Sequence, residues 1–175
     1  VVTSWIEGIS LVDYYENIRN GRRPRVVPGQ AVRLIHGLAN AVCKLHHKRQ
    51  IAHGDIQPAN VIITSHPSRL VLIDFGSAWT AQSSAWREEG DGHNRFYAAP
   101  ELQSGLPTIG FLADQFSVSV LFYELLTGKL PYGGLGGKAG RAEFSHKTDG
   151  TLIPPSTLFQ MALPYPSRCA RLLTP

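Results

Sequence analysis

Cysteine is scarce in this chain: Cys43 and Cys169 are the only two among 175 residues. They lie far apart and form no C-x-x-C pair, which argues against a disulfide framework or a thiolate metal site. Cys43 falls inside an apolar helical pattern and reads as a buried thiol. The seven histidines show no H-x-x-x-H spacing on a helix, so a histidine metal site has no support either. No apolar run reaches the roughly 18 residues that a membrane-crossing helix needs. Charged residues make up 17% of the chain and the net charge is +4, without a block of like charge that would mark a nucleic-acid arm. There is no internal repeat, no signal peptide and no initiator methionine. The chain opens on Val1-Val2 within an apolar run and is expected to be an interior piece of a longer protein. What is abundant is ordinary: 43% hydrophobic residues, enough to bury a core.

The apolar pattern divides the chain into a few elements. Residues 1–6 read as a short strand stopped by Glu7-Gly8. Ser10, with Asp13 three positions on, predicts a capped helix running to Arg19. From about Pro28 to Lys48, Val32, Ile35, Leu38, Ala39, Val42 and Leu45 recur at the spacing of one buried helical face, and His46-His47 reads as the helix end. Val61-Ile62-Ile63 and Leu70-Val71-Leu72-Ile73 flank a turn at His66-Pro67-Ser68 and predict a hairpin. Residues 111–127 form a strongly apolar helix stopped by Gly128 and Pro131. Gly133, Gly134, Gly136, Gly137 and Gly140 suggest a flexible connection, and a proline-rich tail holds a short helical pattern at 168–173. The fold class is mainly α (α+β), with a small hairpin beside the loops that carry the chemistry.

Those loops are His53-Gly54-Asp55-Ile56-Gln57-Pro58-Ala59-Asn60 and Asp74-Phe75-Gly76. They place a carboxylate, a carboxamide and a second carboxylate on adjoining turns. Phosphoryl transfer from a nucleotide uses such a set: one acid orients the attacking hydroxyl, while an amide oxygen and another acid hold Mg²⁺ against the phosphates. D-x-x-x-x-N alone is weak. In order with D-F-G and the later Ala99-Pro100-Glu101 it is specific.

With these motifs the chain resembles the eukaryotic-like Ser/Thr protein kinases, from the hinge through the C-terminal lobe. The resemblance implies a partial kinase domain over residues 1–175: a hinge strand and linker at 1–9, a C-lobe core at 10–132, and an irregular truncated tail at 133–175. Within the core it implies a catalytic loop at 53–60, an activation segment at 74–101 and a central helix at 111–127. The cofactors implied are ATP and Mg²⁺, with Asp55 orienting the substrate hydroxyl and Asn60 and Asp74 binding the metal. The hinge would meet adenine through the Ser4 carbonyl and Ile6 amide, with Thr3 as gatekeeper, Ile62 under the ring and Ser10 beside the nucleotide. His53 and Phe75 would stack in the core that joins the lobes, and Asp114 would hold the catalytic-loop backbone. The partners implied are a protein substrate with a Ser/Thr hydroxyl and the missing N-lobe of the parent chain, with no nucleic acid. A cytoplasmic location follows, possible also for a domain of a membrane-anchored parent.

Three departures from the family pattern stand out. Gly54 replaces the Arg that receives a phosphorylated activation loop, so activity is expected not to depend on that phosphorylation; Ser83 and Ser84 in the loop read as solvated surface. Gln57 replaces a Lys that touches the transferring phosphate, and losing that charge could cost roughly two orders of magnitude in rate. Asn94 replaces the Thr that bridges that Lys to the catalytic Asp. Either Gln57 and Asn94 form a substitute amide network or the enzyme is weakened. The glycine-rich loop, strand Lys and helix Glu of the family are not found, and only Arg168 and Arg171 could pair with Glu101, so residues 1–175 alone are expected to be inactive. Two other readings remain: a pseudokinase acting as a binding module, and a small-molecule kinase of the aminoglycoside or choline type, which shares H-G-D-x-x-x-x-N but usually lacks D-F-G and A-P-E.

Overall fold

Ser10 begins the ordered architecture as both the end of strand β1 (Ile9–Ser10) and the N-cap of helix α1 (Leu11–Arg19). Its Oγ accepts the Asp13 N–H at 3.1 Å and donates to Asp13 Oδ2 at 2.8 Å, the cap that the Ser-x-x-Asp spacing predicts. The computed structural model describes residues 5–80, 94–103, 110–141, 143–144, 152 and 154. Of the expected opening strand, residues 1–4 lie outside that range, and Trp5 and Ile6 carry no regular structure. Ser83, Ser84, Arg168, Cys169 and Arg171 also lie outside the described residues.

Helix α2 (Pro28–Lys44) starts with Pro at its first position and buries Ala31, Leu34, Ile35, Leu38 and Val42. This stripe corrects the expected one. Val32, Ala39 and Cys43 each sit one residue past a buried position, about 100° around the helix, and are exposed. The helix then widens into a π-helical turn, Leu45–Arg49, closed by Gln50 at φ +53°. That turn buries His46, stacked on Phe111 with ring centroids 4.4 Å apart.

Four further strands follow: β2 (Ile51–Ala52), β3 (Val61–Ile63), β4 (Leu70–Leu72) and β5 (Trp79–Thr80). The expected hairpin is β3–β4, antiparallel with Val61 opposite Leu72, and β1 joins its other edge with Ser10 opposite Ile62. Strands β2 and β5 form a separate antiparallel pair that brackets the acidic loops. Helix α3 (Pro100–Gln103) is short, and α4 (Gly110–Thr127) runs through the interior. Apolar nearly all round, α4 packs against α2, and Val120, Leu121 and Leu125 share one core with Leu11, Leu34, Leu38 and Val61. Each such side chain contributes about 1.5–3 kcal/mol on burial. The Arg25 guanidinium donates to the Thr127 carbonyl at 3.1 Å, tying off the helix end.

The glycines after α4 do not form a loose connection. Residues Tyr132–Gly134 and Gly136–Gly140 form 3₁₀ turns, the second laid against Phe96 and Pro100. Their ordering comes from a tertiary contact that composition does not reveal: the Gly137 N–H donates to the Phe96 carbonyl at 2.7 Å. Among the described residues no helix is long and apolar enough to cross a membrane.

Candidate active site

A buried carboxylate organises the loop that follows β2. Asp114, 1% exposed on α4, accepts the His53 N–H at 2.7 Å and the Gly54 N–H at 2.8 Å, as expected of it. Its Oδ2 also meets His46 Nε2 at 2.8 Å. A carboxylate this deep is stable only with such a set of donors. His46 was not anticipated as part of the site. A histidine at a helix end carries no sign of a partner 68 residues away, so only the fold reveals it.

The His53 ring joins the two acidic loops. Its Nδ1 accepts the Asp55 N–H at 3.3 Å, and Nε2 faces the Ile73 carbonyl at 3.1 Å, a pair of contacts that fits the tautomer protonated at Nε2. The Ile73 N–H in turn donates to the Asn60 carbonyl at 2.9 Å. Asp74 is thereby fixed beside the loop that carries Asp55 and Asn60. Phe75 meets His53 edge-on, with planes at 65° and centroids 4.9 Å apart, rather than face to face. Edge contact suits the charge distribution of two rings better than a parallel stack.

Asp55 is held from one side. Asn60 Nδ2 donates to Asp55 Oδ2 at 2.8 Å and to its backbone carbonyl at 2.9 Å, and Gln57 Nε2 donates to Oδ2 at 2.7 Å. Among the described residues nothing donates to Oδ1. Asn94 Nδ2 donates to Gln57 Oε1 at 2.9 Å. Gln57 and Asn94 thus form an amide network that reaches Asp55.

The donor set fits Mg²⁺. The Asn60 amide nitrogen is spent on Asp55, which turns its carboxamide oxygen into the available ligand. Asp74 adopts φ +61°, an uncommon conformation for a non-glycine residue, and its Oδ1 accepts the Gly76 N–H at 3.0 Å. Two hard oxygen ligands suit an ion that keeps water and phosphate in the rest of its shell. The described residues contain no cluster of three His, Cys, Asp or Glu that would cage a metal by themselves.

The nucleotide-side candidates form a second group. Thr3 and Ser4 lie outside the described residues. Ile6 is half-buried, and Ile62 is half-buried in β3 opposite Ser10. The Ser10 hydroxyl is committed to the α1 cap as both donor and acceptor. Strands β1 and β3 and helix α1 all contact the Pro58–Asn60 turn, so Ser10 and Ile62 lie on elements next to the His53–Asn60 loop.

Tyr97, at the expected end of the activation segment, is fastened to α4. Tyr97 Oη donates to Glu124 at 2.6 Å, and Ser117 Oγ donates to the Tyr97 carbonyl at 2.9 Å. Burial pushes the Tyr97 hydroxyl far above the usual tyrosine range, and the Glu124 carboxylate beside it adds to this. Burial also raises the Glu124 carboxyl, against the opposing pull of the Tyr97 bond and Arg19. A cavity of about 460 Å³ opens beside Glu124, lined by Arg19, Tyr123, Lys129 and Leu130 among others, and by none of Asp55, Gln57, Asn60 or Asp74.

A family model described as protein kinase domain matches residues 1–170. Over 151 residues the chain is 34% identical to CBL-interacting protein kinase 8 of Oryza sativa subsp. japonica, covering 83% of this chain and 32% of that protein. It is 27% identical over 136 residues to serine/threonine-protein kinase PrkC of Bacillus subtilis, covering 77% and 20%. It is 37% identical over 86 residues to serine/threonine-protein kinase GIN4 of Saccharomyces cerevisiae, covering 49% and 7%. The chain thus spans a third or less of the length of each of these relatives.

Proposed function

The chain belongs to the protein kinase domain family, and from that premise we propose that its full-length protein transfers a phosphoryl group from ATP to Ser/Thr hydroxyls of protein substrates. The observation that carries this reading is the one-sided hold on Asp55, with two amide donors on Oδ2 and none on Oδ1 among the described residues. Oδ1 orients the incoming hydroxyl and takes its proton as the new O–P bond forms and the bond to the nucleotide's leaving oxygen breaks. Asn60 and Asp74 hold Mg²⁺ through the carboxamide oxygen and the carboxylate; when bound, that ion neutralises phosphate charge. Gln57 keeps Asp55 in place with one amide hydrogen and has a second to offer the phosphate, without the charge of a lysine.

By resemblance to the family, the Ser4 carbonyl and Ile6 amide would pair with adenine, with Thr3 as gatekeeper, Ile62 under the ring and Ser10 beside the nucleotide. Residues 1–175 contain no glycine-rich loop or strand Lys to cover the phosphates, so this segment on its own does not turn over. The Tyr97–Glu101 segment matches the family's A-P-E region, which small-molecule kinases usually lack, and so supports a protein substrate over a small alcohol.

Phosphoamino acid analysis on the full-length protein tests the reading. Incubation with Mg²⁺ and labelled ATP is expected to give acid-stable phosphoserine or phosphothreonine in a protein substrate. Transfer only to a small aminoglycoside or amino alcohol would replace it with the small-molecule reading. Nucleotide binding without any transfer would favour a scaffold.

A further inference from the structure

The line of hydrogen bonds on Asp55 does not stop at Asn94. Asn94 Oδ1 accepts the Phe96 N–H at 3.1 Å, and the Phe96 carbonyl accepts the Gly137 N–H at 2.7 Å. Asp55, a carboxylate, can only accept, so Gln57 must present its nitrogen to it and its oxygen outward. Asn94 must then donate to that oxygen, which leaves its own oxygen for Phe96. The Gln57 and Asn94 side-chain amides therefore each have one permitted orientation and polarise one another, while beyond them the Phe96 backbone links Asn94 to Gly137 by position alone.

The outer end of the line is rigid. Gly136 sits at φ +53°, and a Cβ there would overlap the Phe96 carbonyl. Only glycine allows the two backbones to approach this closely. Lys138 Nζ lies 3.8 Å from the centre of the Phe96 ring, a cation–π contact that holds the same residue from its side-chain face.

We propose that the glycine-rich turn at Gly136–Gly140 is a positioning element for the catalytic carboxylate, acting on Asp55 through Phe96, Asn94 and Gln57. The proposal rests on the kinase reading for its effect on rate, but not for the line of bonds itself. Residues some eighty positions from Asp55 thus set its orientation without touching substrate. The Gln57 and Asn94 replacements work as a pair within this line: Asn94 can serve Gln57 and Phe96 only in the orientation observed.

The test compares Gly136→Ala, Asn94→Asp and Gly133→Ala in the full-length protein. It reads kcat, KM for ATP and the NMR signals of the Gln57 side-chain amide. Gly133 has φ +64° with nothing within 4 Å of an added Cβ, so Gly133→Ala carries similar backbone strain without the contact. Asn94→Asp keeps an acceptor for Phe96 but has no donor for Gln57, and it serves if Gly136→Ala does not fold. Gly136→Ala and Asn94→Asp are each expected to lower kcat about tenfold, with KM for ATP within about twofold and the Gln57 amide signals shifted. Gly133→Ala is expected to change neither. Unmoved Gln57 signals with wild-type kcat in Asn94→Asp would overturn the proposal, as would equal losses in Gly133→Ala. A wild type without turnover whose Gln57 signals still move in Asn94→Asp would sink the kinase reading and leave the positioning line standing. Signals that stay in place would sink the line whatever the turnover.

Discussion

Two carboxylates in this protein are held in opposite ways. Asp114 is buried and saturated by His53, Gly54 and His46, so its role is to fix backbone. Glu124 is half-buried with Tyr97 as its donor, and loss of solvent raises its carboxyl above the usual glutamate range. A group raised in the folded state binds its proton more tightly there than in the unfolded chain. Its contribution to stability is complete below the unfolded value and is lost as pH rises through the folded one. Glu124→Gln keeps an acceptor for Tyr97 but has no such loss. Thermal melts across a pH series should therefore show the variant gaining on wild type as pH climbs from the ordinary glutamate value toward neutrality. A difference independent of pH would show that Glu124 is not the group responsible. At this scale motif spacing singled out Asp55, Asn60 and Asp74 as candidates on loops that the fold brings together, and the helix pattern singled out Asp114, which bonds the first of those loops. The sequence did not disclose His46, whose partner is distant, and it misjudged Cys43, which lies one residue from the buried Val42.

Elements were legible where the local signal and the tertiary need coincide. Ser10 and Asp13 announce α1, the apolar run announces α4, and the β-branched pair announces the β3–β4 hairpin. The stripe on α2 was misplaced at Val32 and Ala39 because an apolar residue on a helix can face solvent as easily as core. The segment after α4 was misread for a different reason: glycine composition suggests looseness, whereas close backbone approach to Phe96 needs glycine and orders it. The α1 cap gives this scale its own prediction. With the Ser10 hydroxyl bonded to both the Asp13 N–H and its carboxylate, Ser10→Ala should lower unfolding stability by about 1 kcal/mol in denaturant titration. A loss near zero would mean that β1 pairing with β3, rather than the cap, fixes the start of α1.

Across the molecule, two loops of opposite origin are clipped to one buried helix. Asp114 and Ser117 of α4 hold the His53–Asn60 loop and Tyr97, while Ile73 links the Asp74–Gly76 turn to His53 and Asn60. The catalytic geometry therefore depends on the α2–α4 core as much as on the motif residues. Gln57 and Asn94 join Asp55 in one line of amide hydrogen bonds. The most direct measurement of the central claim is phosphoryl-transfer kcat in full-length wild type and Asp55→Asn, with Mg²⁺-ATP binding measured on the same preparations. Asn can neither take the proton nor bear the charge, so kcat should fall by about 10²–10⁴-fold while nucleotide affinity holds. Equal turnover in the two proteins would contradict the role assigned to Asp55 and, with it, the proposed mechanism.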